Sequence, residues 1–156
     1  MDRPVLIYVA HPVGAPDAAG VEAHMGQFAR WLRYLLALPA QHARRIAWQA
    51  PWAAYVHALG DDREYRARGM RDTLAALERC DAFLALGRMT PGVRAEQELA
   101  TALGMPLANL HAIGALPPPQ IEAQWWERGD HAEIIRQLGA LVAAVDKRRS
   151  ARGGVA

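Results

Sequence analysis

Val5-Leu6-Ile7-Tyr8-Val9-Ala10 is an uninterrupted apolar run stopped by His11-Pro12. An alternating pattern would leave one face of a strand in water. A continuous run leaves none, so this strand must be covered on both sides, as in the interior of a parallel sheet. Ala82-Phe83-Leu84-Ala85-Leu86-Gly87 makes the same demand later in the chain. Together they call for a parallel sheet with a layer of helices on each face.

The intervening segments supply those layers. Val21, His24, Met25, Phe28, Trp31, Leu32 and Leu35 recur at helical spacing and define an amphipathic helix. Residues 45–50 read as a weaker second strand, and Pro51 opens an aromatic-rich stretch through Tyr55 that fits either a short helix or an irregular loop. Asp61 or Asp62 caps a helix reaching about Arg79, with Met70, Leu74 and Leu77 on one stripe. A loop at 88–92 leads into a helix ending at Gly104, and a fourth strand lies near 106–110. Beyond a Pro-rich connector at 117–119, a final helix opens with a capping box of Asp130 and Glu133. It carries Ile134, Ile135, Leu138, Leu141, Val142 and Val145 on one face. The predicted architecture is a single doubly wound α/β domain over residues 1–149, flavodoxin- or Rossmann-like. Its parallel sheet has about four to five strands with helices on both faces, and a flexible basic tail occupies 150–156.

Composition narrows the function classes. At 156 residues the chain suits one core. No segment approaches the ~20 continuous apolar residues of a membrane span. Net charge is only +2, and the basic run Lys147-Arg148-Arg149-Ser150-Ala151-Arg152-Gly153-Gly154 could touch nucleic acid or anionic lipid but reads as a solvated tail, so no nucleic-acid partner is expected. One cysteine, Cys80, leaves no internal disulfide and reads as a buried spacer. His24, His42, His57 and His131 lack metal-ligand spacing. We therefore expect a cytoplasmic protein with a small-molecule partner, no metal and no cofactor.

Ligands of such sheets bind beyond the carboxyl ends of the strands, which directs attention to loops 11–20, 50–60 and 87–93. The helix after the third of these carries Glu96 and Glu98. At ~100° per residue, Val93, Leu99, Ala100 and Leu103 define its apolar stripe, with Glu96 inside the stripe and Glu98 on the far face. A carboxylate facing a core must be paired, hydrogen-bonded or open to a cavity, so Glu98 is surface and Glu96 is the candidate for chemistry. The helix dipole would favour its ionised form. A structural carboxylate bonded to a nearby loop, to Arg88 or to Arg94 is the other reading of the same position.

Gly92-Val93-x-x-Glu96-x-x-x-Ala100-x-Ala102, followed by Gly104 and a strand, resembles the nucleoside 2-deoxyribosyltransferase superfamily. In spacing it is nearest to the 2'-deoxynucleoside 5'-phosphate N-hydrolases. Arg71-Asp72 precedes Glu96 at the family's spacing, Cys80-Asp81 stands where an Ala-Asp pair opens the strand, and Ile7-Tyr8-Val9-Ala10 matches the first strand. The resemblance covers roughly residues 4–110 and is most specific over 88–104. It implies Glu96 as nucleophile and Asp72 as the acid that protonates the departing base. It also implies that Tyr8 and the loop around His11 and Gly14 position the sugar, that Thr90 and the Gly92 and Val93 amides bind hydroxyl or phosphate oxygens, and that the protein is a homodimer or higher homo-oligomer. The family's Gly-Ser-Ile-Arg phosphate loop is replaced by His11-Pro12-Val13-Gly14, which leaves Arg88 and Arg94 to supply positive charge.

The resulting expectation is cleavage or transfer at the N-glycosidic bond of a (deoxy)nucleoside or its 5'-monophosphate. A non-catalytic sensor of a nucleotide or ADP-ribose-like ligand would use the same crevice. An interaction module built on Trp48, Trp52, Trp125 and Trp126 is a third class.

Overall fold

A computed structural model describes residues 3–38, 45–60, 62–110 and 129–153. Four strands, β1 (Val5–Ala10), β2 (Ile46–Gln49), β3 (Ala82–Ala85) and β4 (Leu107–Asn109), form one parallel sheet in the order β2-β1-β3-β4. Five helices accompany them among the described residues: α1 (Ala18–Leu36), α2 (Pro51–Leu59), α3 (Arg63–Leu77), α4 (Pro91–Ala102) and α5 (Gly129–Gly153). The fold is the expected doubly wound α/β class. β3 is buried throughout and β1 at all but one position, as their continuous apolar runs require.

Chain direction distributes the helices. The β1-α1-β2 unit moves one way along the sheet and the later crossovers move back across β1, so right-handed connections place α1 on one face and α2 to α4 on the other. α5 joins α1, where the Tyr34 hydroxyl lies 3.0 Å from His131 Nδ1. Phe28, Trp31 and Leu35 of α1 are buried as the periodicity requires, and so are Ile134, Leu138, Leu141, Val142 and Val145 of α5.

Several local expectations are resolved or corrected by the structure. The stretch after Pro51 is a helix of nine residues, with Pro at its first position where a missing N–H costs nothing. Trp52 of this helix replaces a strand partner. β2 ends at Gln49 opposite Tyr8, and the Trp52 indole N–H donates to the Val9 carbonyl at 2.8 Å. Leu103, read as part of the apolar stripe of α4, is its C-cap and is exposed. Residues 150–153 of the segment read as a flexible tail continue α5. The 117–119 connector, His42, Trp125, Trp126 and the side chain of Asp130 lie outside the described residues. No described helix is long and apolar enough to cross a membrane.

At the amino ends of the strands one carboxylate ties three elements together. Asp81 Oδ2 accepts from the Leu6 amide at 2.9 Å and from Arg149 at 2.7 Å, Oδ1 accepts from Arg3 at 2.7 Å, and the Asp81 amide donates to the Leu6 carbonyl at 2.8 Å. Arg149 also donates to the Arg3 and Pro4 carbonyls. The entries to β1 and β3 and the last turns of α5 are thereby locked. Hydrogen bonds to a charged group contribute about 1.5–3 kcal/mol. Asp81→Ala is therefore expected to lower unfolding free energy by about 2 kcal/mol with an unchanged denaturant slope, measured by urea titration; an unchanged midpoint would show that the lock contributes nothing.

Candidate active site

A cavity of about 750 Å³ opens beyond the carboxyl ends of β1 and β3, where the strand order reverses. That is the position and size of a small-molecule site in a doubly wound sheet. α4 delivers the central side chain. Thr90 caps this helix, its Oγ1 accepting from the Val93 amide at 3.4 Å, and Pro91 occupies the first turn. Helical period then puts Val93, Glu96 and Ala100 on the buried stripe while Glu98 is exposed. Glu96 is only 6% exposed yet contributes to the cavity wall.

Its partner comes from β1. The Tyr8 hydroxyl donates to Glu96 Oε1 at 2.8 Å. Tyr8 is fully buried, sits opposite Phe83 in the β1–β3 register, and stacks on that ring at 5.9 Å with the planes 8° apart. Burial and the adjacent carboxylate push the Tyr8 phenol far above its ordinary range, so it remains a hydrogen-bond donor. Burial likewise lifts the Glu96 carboxyl from 4.5 to about 7, with the Tyr8 hydrogen bond pulling the other way. The rise corresponds to about 3 kcal/mol. A helix dipole supplies about 0.3–1 kcal/mol, so desolvation outweighs the dipole that the sequence suggested would keep this group ionised.

His11, at the end of β1, is buried beneath the cavity between Phe28 and Trp52, with ring centroids 5.7 and 6.5 Å away. Its Nδ1 lies 2.7 Å from the Pro12 carbonyl, which can only accept, so Nδ1 carries the proton and Nε2 is bare. Desolvation lowers the imidazole to about 4 and keeps it neutral. The β3 loop passes close over this residue. Gly87 has φ +67°, and a Cβ there would stand 3.0 Å from Pro12 Cδ and 3.4 Å from His11 Nε2. Glycine is needed both for the dihedral and for the approach.

Of the residues singled out from sequence, Glu96, His11, Gly14, Arg88, Thr90, Gly92 and Val93 line the cavity. Tyr8 lies behind Glu96, outside the lining, and touches the cavity only through its bond to that carboxylate. Asp72 and Arg94 are exposed and are not part of the lining. The Asp72 carboxylate accepts from the Tyr55 hydroxyl at 2.7 Å, and it is the Tyr55 ring that reaches the cavity. Two expected oxygen-binding groups, the Thr90 hydroxyl and the Val93 amide, are bonded to each other in the cap.

Sequence reasoning missed the opposite wall, where Tyr55, Val56 and Leu59 of α2 face Arg66, Met70 and Thr73 of α3. The Tyr55 ring packs over Gly69, where a Cβ would stand 3.8 Å from the ring. Trp52, Tyr55, Val56 and Leu59 repeat at helical spacing, a signal that would have marked one face of a helix. A scan of the chain against protein-family models gives no match, and comparisons with curated proteins and with solved structures give none either.

The folded state binds a proton at Glu96 more tightly than the unfolded state does. Between pH 4.5 and about 7 the native form therefore carries more protons, and stability falls as pH rises through that window. Glu96→Gln removes this loss. Denaturation midpoints are expected to coincide for the two proteins near pH 4.5 and to favour the variant by up to about 3 kcal/mol at pH 8. A difference independent of pH would contradict the desolvated carboxyl.

Proposed function

We propose that this protein cleaves or transfers at the N-glycosidic bond of a (deoxy)nucleoside or nucleoside 5'-monophosphate, with Glu96 as the nucleophile. The observation that carries the reading is a buried carboxylate early in α4, held by the Tyr8 hydroxyl, at the wall of a cavity at the sheet's switch point. Breaking a C–N glycosidic bond develops oxocarbenium-like charge on the sugar, and a carboxylate beside the anomeric carbon stabilises that charge or traps it covalently. Desolvation raises the value of such a contact by removing competing water.

The remaining lining divides by chemistry. Arg88, Arg66 and the first turn of α4 offer positive charge and backbone dipoles to hydroxyl or phosphate oxygens, and α2 with α3 offers apolar surface to a base. Asp72 fits this reading as a positioning residue, since it touches the cavity only through Tyr55. The absence of Asp72 from the described lining is also the one observation favouring a ligand sensor that binds without turnover.

The test is a chromatographic screen of deoxy- and ribonucleosides and their 5'-monophosphates, with and without an acceptor base. Free or exchanged base is expected from wild type and from Glu98→Gln, whose side chain faces water, and not from Glu96→Gln. Stoichiometric binding with no product from either neutral or cationic nucleosides would establish the sensor. Glu96 must be ionised to act, so kcat/KM is expected to rise with pH around a midpoint near 7. Tyr8→Phe removes a hydrogen bond that holds this carboxyl down. It should move the midpoint upward and reduce kcat/KM at neutral pH by about 10–100-fold, the equivalent of one bond to a charged group. An unmoved midpoint would remove Tyr8 from the mechanism.

A further inference from the structure

The glycosidic reading leaves open what departs from the sugar, and the lining bears on that. A neutral purine or pyrimidine leaves readily only if an acid protonates it, a service worth about 10²–10⁴ in rate. Glu96 aside, no side chain of the described lining offers a free acidic proton. The Thr90 hydroxyl is an alcohol, not an acid, and its oxygen accepts from the Val93 amide at 3.4 Å. The Tyr55 hydroxyl donates to Asp72 at 2.7 Å, and the Thr73 hydroxyl donates to the Gly69 carbonyl at 2.6 Å. His11 spends its one proton on Pro12 and presents a bare Nε2. Asp62, besides Glu96 the other carboxyl group of the described lining, is exposed and caps α3 by accepting from the Glu64 amide at 2.8 Å. Arg66 and Arg88 are too basic to surrender a proton.

The wall formed by Trp52, Val56, Leu59 and Met70 adds a positive argument. Apolar surroundings penalise a charged ring and favour a neutral one. A substrate whose base carries the positive charge before cleavage and none after it would be driven forward by this wall, while the charge moves to the sugar beside Glu96.

We propose that the substrates are cationic N-glycosides, such as N-ribosylpyridinium or N7-alkylpurinium nucleosides, whose base departs as a neutral molecule without an acid. This deepens, and rests on, the glycosidic function proposed above. In the first step the C1'–N bond breaks, its electron pair neutralises the ring nitrogen, and Glu96 forms an ester bond to C1'. Water then adds to C1', the ester pair returns to Glu96, and one proton is released to solvent. The sum is cationic N-glycoside plus water giving free sugar, neutral base and a proton.

The test compares N7-methylguanosine with guanosine, each as nucleoside and 5'-monophosphate, on the full chain, and adds a series of pyridinium ribosides graded by the basicity of the pyridine. Glu96→Gln is the control for both sets. We expect kcat/KM for N7-methylguanosine to exceed that for guanosine by at least about 100-fold, the contribution an absent acid would have made. Across the pyridinium series kcat should fall about tenfold for each unit of added pyridine basicity, since nothing but the ring nitrogen receives the electron pair. Guanosine cleaved within about tenfold of N7-methylguanosine, or a flat pyridinium series, would overturn the cationic substrate while leaving the glycosidase standing. Cleavage of neither class would overturn both.

Discussion

Two-sided burial of β1 and β3 is the constraint from which the site follows. Strands covered on both faces can carry a polar side chain only where its partner is delivered from the covering layer. β1 carries one in Tyr8, and the layer delivers Glu96. The phenol ring satisfies the packing demand through Phe83, and its hydroxyl satisfies the hydrogen-bonding demand through the carboxylate. Had either side chain been apolar, the other would stand unpaired in the core at a cost of about 1–3 kcal/mol.

Under the proposed function the same pair sets stability against chemistry. A carboxylate pressed into this position resists ionisation, and the ionised form is the one that can meet a developing cation. Core burial and a raised carboxyl thus come from one placement, a pattern common at functional sites. α2 and α3 complete the arrangement from the other side. Trp52 hangs α2 from the Val9 carbonyl, and Tyr55 rests on Gly69 with its hydroxyl on Asp72, so the apolar wall is referenced to both the sheet and the neighbouring helix.

Features that depend on local period were legible in the chain. The strands β1 and β3, the buried faces of α1 and α5, and the opposite facing of Glu96 and Glu98 all follow from spacing within one element. Features that depend on distant partners were not. Tyr8 and Glu96 are 88 positions apart, and Leu6 and Asp81 are 75, so neither bond has a signature in its own neighbourhood. α2 was ambiguous for a different reason: Trp, Tyr and Val are indifferent helix formers, and only Pro51 at the first turn argued for a helix start. The direction of the Glu96 shift was misread because a helix dipole can be inferred from sequence position, while the depth of burial that outweighs it cannot.

The Asp81 lock and the cavity occupy opposite ends of the same strands. Loops after the strands can then accumulate substitutions without loosening the fastening at their starts. Exposed positions on the cavity rim can therefore vary while the Asp81 fastening stays intact, whereas Trp52 and Gly87, which tie the rim to the sheet, cannot.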